Sequence, residues 1–133
     1  MTRDGPLWLV ILAVSAGASI GACIRWGLSY WLNAKEVWIP LGTLTANLVA
    51  GLLIGIALAW FSSHPHIAPA VRLFVITGFL GGLSTLSTFS AENLHYLMHG
   101  EFLEAIEHIG IHTCGTIFAT WSGYSLFSRV FTN

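Results

Sequence analysis

Four stretches of this chain are each long enough and poor enough in charge to cross a lipid bilayer, and nothing else in the sequence constrains the fold as strongly. The hydrocarbon core is about 30 Å thick and an α-helix rises about 1.5 Å per residue, so one span needs roughly 20 mainly apolar residues. Residues 7–32 carry one charge, Arg25, towards their end, and residues 41–61 carry none. Residues 71–97 are charge-free over 73–91, and residues 102–131 lack Asp, Glu, Lys and Arg over 109–128. Charged residues are 8% of the 133, against about 25% in a soluble domain, so water is excluded as the solvent of most of this surface. The expected fold is an all-α membrane protein: one domain over residues 1–133, with four transmembrane helices. Residues 7–32 are too long for a signal core and read as the first span.

The connections fit that reading. Residues 33–40 hold Lys35, Glu36 and Pro40; residues 62–69 read SSHPHIAP, with two helix-ending prolines; residues 98–101 contain Gly100. Trp8, Trp26, Trp31, Trp38 and Trp60 lie near span ends, where interfacial aromatic belts form. With four spans, Arg3, Arg72 and Arg129 face one side and Arg25 and Lys35 the other. Three against two hardly orients a chain, and insertion in both directions is one consequence of such a balance. No basic patch offers a footing for nucleic acid. Cys23 and Cys114 sit in apolar runs without metal-type spacing and read as packing residues.

Small and polar residues mark the faces that meet other helices. Gly17/Gly21 and Gly51/Gly55 form GxxxG pairs, which let helix backbones approach closely in lipid. Asn47 is an amide mid-span, with Thr43 one turn earlier on the same face; the stripe either bonds a neighbouring helix or lines a polar path. Arg25 either snorkels to the surface or holds backbone carbonyls at a vestibule, and Glu92 has a similar double reading.

The third apolar stretch carries the strongest signal, TGFLGGLSTLSTFSAE over residues 77–92. Gly78, Gly81 and Gly82 weaken the helix, and Ser84, Thr85, Ser87, Thr88 and Ser90 can satisfy backbone groups that a break releases. A break is expected near residues 81–86, with an ion at or near it, because broken spans are tolerated where they line a cavity. Phe89 sits in the same run, and its positive ring edge suits a small anion. In the fourth stretch Glu104, His108 and His112 recur at i, i+4 and Thr116 continues the row. That row reads as a polar stripe in preference to a metal site. His95 and His99, near the end of the third stretch, read as interfacial, and His64 and His66 flank a loop proline with no evident role.

Three segments in order, GACIRW, PLGTLTANLVAGLLIG and TGFLGGLSTLSTFSAE, resemble the bacterial fluoride channels of the Fluc/CrcB family over nearly the whole chain. The resemblance implies a passive fluoride channel of the bacterial inner membrane, not an enzyme. It implies an antiparallel, dual-topology homodimer with two fluoride pathways at its interface. It further implies a central structural Na+ held by the backbone carbonyls of Gly81 and Ser84 from both copies. The expected pathway comprises Thr43, Asn47, Leu86, Ser87, Thr88, Phe89, His112 and Thr116, with Arg25 and Glu92 as vestibule or structural groups. The family usually has phenylalanine where this chain has Leu86, which removes one aromatic edge from the expected pathway. A small multidrug exporter would need a carboxylate in its first span, which here holds only Arg25; a serine hydrolase would need a GxSxG elbow, which is absent.

Overall fold

The structure is a computed structural model that describes residues 5–33 and 39–131. The expectations attached to Arg3, Lys35, Glu36 and Trp38 lie outside the described residues. Among the described residues every regular element is helical: α1 (Leu7–Leu32), α2 (Leu41–Ser63), α3 (Pro69–Arg72), a π-helix (Leu73–Leu80), α4 (Gly81–Leu83), α5 (Leu86–Met98) and α6 (Phe102–Phe131). Three stretches are long and apolar enough to cross a membrane: α1, α2 and the run Pro69–Met98. The fourth expected span, α6, has 30 residues but is less apolar, because His108, His112, Thr113, Thr116 and Thr120 recur along it.

Helix ends follow local chemistry. Pro40 precedes α2, and Pro69 opens α3 at a position where its missing N–H is no loss. The Arg72 guanidinium caps α2, donating to the carbonyls of Phe61 at 3.0 Å and His64 at 3.1 Å while lying 5.3 Å over the Phe61 ring. An arginine committed to a helix end in this way also satisfies carbonyls that have no helical donor. Gly100, at φ +76, makes the tight turn between α5 and α6.

The bundle is held by backbone-to-backbone approach at small residues. α1 lies along the π-helix and α2 along α6. A methyl group on Gly21 would fall on Phe79 O and 2.7 Å from Leu83 N; one on Gly55 would fall on Thr120 O and 2.7 Å from Tyr124 N. Both GxxxG pairs therefore pack within one chain. From the other side, Gly78 and Gly82 press on α1 at Val14 O and Ala18 O. The core between these pairs is Ala50, Ala57, Phe61, Leu80 and Leu83. Large apolar side chains of α1, α5 and α6, among them Trp8, Ile11, Met98 and Phe118, are exposed, as a lipid-facing surface requires.

The third stretch breaks within the expected interval. Its helix is a π-helix over Leu73–Leu80, continues through Gly81–Leu83, and then stops at two extended residues, Ser84 (φ −74, ψ 156) and Thr85 (φ −147, ψ 112). Thr85 then starts α5 as its N-cap, its hydroxyl accepting from Thr88 N at 3.1 Å. The π-helix has no counterpart in the sequence reading. A wide helical segment of this kind often adjoins functional sites.

Candidate functional site at the interrupted helix

The site grows from the two extended residues. Leaving the helix at Ser84 and Thr85 strands a backbone N–H and C=O that no helical neighbour can reach. Asn47 of α2 takes both: its Oδ1 accepts Thr85 N–H at 2.8 Å and its Nδ2 donates to Thr85 O at 3.3 Å. This pair of bonds fixes which end of the amide is oxygen. Nδ2 then also donates to His112 Nδ1 of α6 at 3.2 Å. The imidazole must accept there, so its hydrogen resides on Nε2, a buried atom with no hydrogen-bond partner among the described residues. Asn47 thus has both amide hydrogens engaged, and the unspent N–H belongs to His112.

Asn47, Thr85, Phe89, His112 and Thr116 line an open groove of about 300 Å³. Ser84, Leu86, Thr113 and Ile117 complete its walls. Leu86 is 76% exposed at its rim. The Phe89 ring stacks on His108 (centroids 5.2 Å, 16°) and leans on His112 (5.0 Å, 42°), which sets its plane. At the start of α5 the Thr85 hydroxyl donates to Thr88 Oγ1 at 2.9 Å and lies 3.2 Å from Ser87 Oγ. The hydroxyl run is therefore a connected chain of donors and acceptors beside the groove.

The break also alters two carbonyls. Gly81 O loses its helical donor because Thr85 N–H turns to Asn47, and accepts from the Ser84 hydroxyl at 3.5 Å. Ser84 O loses its donor because Thr88 N–H turns to Thr85 Oγ1. Neutral oxygens released in this way suit a hard cation, so the residues present fit the expected Na+. Arg25 holds the same segment, its Nε donating to Gly82 O at 3.2 Å.

Outside the groove lining Thr43, fully buried, donates to Glu92 Oε1 at 2.6 Å. Thr43 thus serves the carboxylate of α5 directly. The acid that meets His108 is Glu92 of α5, Oε2 to Nε2 at 3.3 Å, in place of Glu104 on its own helix. The sequence reading named Thr85 among the hydroxyls at the break and His108 in the polar row of the fourth stretch without placing either in the site, and it did not name Thr113. The run of hydroxyls after Gly82 could have singled out Thr85 as an N-cap, and the i, i+4 spacing of His108 and His112 was visible. The Glu92 contact crosses helices and leaves no trace in spacing.

Comparison with known proteins places the chain in a family. Residues 12–124 match the family described as CrcB-like protein, Camphor Resistance (CrcB). The chain is 48% identical over 117 residues to the fluoride-specific ion channel FluC of Aromatoleum aromaticum, covering 88% of this chain and 89% of the relative. It is 50% identical over 113 residues to the protein of that name from Thiobacillus denitrificans, covering 85% and 91%. With the one from Psychrobacter arcticus it shares 50% over 120 residues, covering 90% and 97%.

Proposed function

The chain belongs to the CrcB-like family, and on that premise we propose that it is a fluoride-selective passive channel of the bacterial inner membrane, carrying fluoride out of the cell. It is a multi-pass membrane protein and not an enzyme. The observation that carries the reading is the groove at the broken helix, where neutral donors and an aromatic ring converge without a fixed positive charge.

Hydrogen fluoride is a neutral weak acid that crosses lipid and dissociates in a near-neutral cytoplasm, which traps the anion. An inside-negative potential then drives fluoride out at roughly 2.3 kcal/mol per charge per 100 mV. Fluoride is small and strongly hydrated, so a pore must replace its water with donors. His112 offers its Nε2–H, Ser87, Thr88 and Thr116 offer hydroxyls, and Phe89 offers a ring edge. Asn47 holds His112 in the donating tautomer and keeps the helix open. Thr43 and Glu92 shape the mouth of this path, and Leu86 stands at its rim.

The active unit in this reading is an antiparallel homodimer with four spans per copy and two pathways. One feature supports it: the small Lys/Arg bias, which suits insertion in both directions. The carbonyls of Gly81 and Ser84, from both copies, would hold the structural Na+. When bound, that cation supplies positive charge that offsets part of the cost of bringing an anion into a dry site.

Efflux from liposomes holding the purified protein tests the reading. Fluoride should leave far faster than chloride. Equal rates for the two anions overturn the selectivity claim, and no flux of either favours a purely structural membrane subunit.

A further inference from the structure

Beside the groove, Glu92, His108 and His112 bring three ligand atoms within 4.8 Å of one another. His108 is 0% exposed and His112 4%, and the Glu92 side chain 16%. Glu92 Oε2, both nitrogens of His108 and His112 Nε2 are buried without a hydrogen-bond partner among the described residues. A buried polar atom is normally paired, so unpaired ones on all three residues call for a ligand. The nearest approach, Glu92 Oε2 to His108 Nε2, is 3.3 Å but is not aligned as a hydrogen bond. Zn–N and Zn–O bonds of about 2.0–2.1 Å set neighbouring donors of a tetrahedron about 3.3 Å apart.

We propose that Glu92, His108 and His112 form a binding site for a borderline divalent transition metal of the Zn²⁺ class, and that its occupation shuts the fluoride path. Two imidazoles and one carboxylate are the donor set of an open three-ligand zinc site, with a fourth position left for water or an anion. The oxygens expected to hold Na+ are at Gly81 and Ser84, so the two cations use different atoms.

Closure follows from the tautomer of His112. A metal on Nε2 needs the lone pair there and moves the hydrogen to Nδ1. That hydrogen then points at Asn47 Nδ2, itself a donor held in place by Thr85. Metal capture therefore removes the Nε2–H that the channel reading assigns to the anion, and forces Asn47 away from His112. The Asn47 contact opposes the metal, and no acceptor orients His108 Nδ1, so binding is weaker than at sites with a complete outer shell by roughly 10–100-fold.

Co²⁺ is the probe, because tetrahedral Co²⁺ has intense visible absorption and Zn²⁺ displaces it silently. Native protein in detergent should develop these bands, lose them on adding Zn²⁺, and show Zn²⁺ inhibition of fluoride efflux in liposomes. Glu92→Gln keeps an acceptor for Thr43 but loses the anionic ligand; His108→Gln keeps polarity and similar bulk. Each should weaken Co²⁺ binding at least about tenfold and raise the Zn²⁺ concentration for half-inhibition equally. The double variant His95→Gln/His99→Gln, which removes the exposed imidazole pair at the end of α5, should bind as native does.

Absence of the bands in native protein overturns the site. So does their loss in the His95/His99 variant with retention in Glu92→Gln. Bands that behave as expected, with efflux insensitive to Zn²⁺, overturn the closure. The flux arm rests on the channel reading and the spectra do not: native protein that binds Co²⁺ but passes no fluoride removes the channel and leaves the metal site standing.

Discussion

Asn47 accepts the Thr85 N–H at 2.8 Å, at one of the two extended residues that interrupt the third span. One side chain from α2 thereby replaces the hydrogen bond that a continuous helix would have made. The same amide orients His112, so the opening of the helix and the donor set of the groove are a single structural event.

Asn47→Ala should leave the Thr85 amide and carbonyl unpaired in a half-buried site, costing about 1–3 kcal/mol per buried group left unsatisfied. Asn47→Asp retains the acceptor for Thr85 N–H but sets a carboxylate against Thr85 O and His112 Nδ1. Both should cut fluoride efflux by about tenfold or more while folded dimer persists in size-exclusion chromatography. Equal loss of flux and of dimer assigns Asn47 to packing alone.

Phe89→Ile keeps an apolar side chain but removes the ring that contacts His108 and His112. Such ring pairs contribute about 0.5–1.5 kcal/mol beyond burial, so the protein should still fold. Fluoride efflux should drop to the rate of protein-free liposomes; undiminished efflux takes Phe89 out of the pathway.

Leu86→Phe places an aromatic edge at the rim of the groove. Because Leu86 is 76% exposed, the larger ring meets no packed core and stability should change by less than about 0.5 kcal/mol. Efflux should rise. A variant slower than the parent shows that this chain has adapted its groove to leucine.

Gly21→Ala and Gly27→Ala form a matched pair on α1. The first puts a methyl group onto Phe79 O and Leu83 N, and the second meets open space. Overpacking costs about 1–3 kcal/mol, and here it presses on backbone that cannot move aside. Gly27→Ala should gain up to about 1 kcal/mol of helix propensity. Thermal unfolding in detergent should separate the two in opposite directions. A shift of the dimer equilibrium with unchanged monomer unfolding would place Gly21 between copies instead.

The position of the break was legible because it is written locally. Gly81 and Gly82 lower helix propensity, and Thr85 is followed three residues on by the N–H it caps. The apolar stretches were legible for a similar reason: lipid requires every backbone group to be satisfied within its own segment. The fourth stretch is less plain, because α6 gives part of its length to a polar row of His108, His112, Thr113, Thr116 and Thr120.

By itself the sequence determined the solvent, the helices, the place where one of them opens, and a set of polar side chains too costly to face lipid. Tertiary structure alone decided which of those side chains meet. Asn47 finds Thr85 across 38 positions, and Glu92 finds His108 where the spacing on α6 had pointed to Glu104. Helix formation and burial depend on neighbours in the chain. The choice of partner depends on how two helices are rotated against each other, and here bare glycine backbones, pressed together at Gly21 and Gly55, set that rotation.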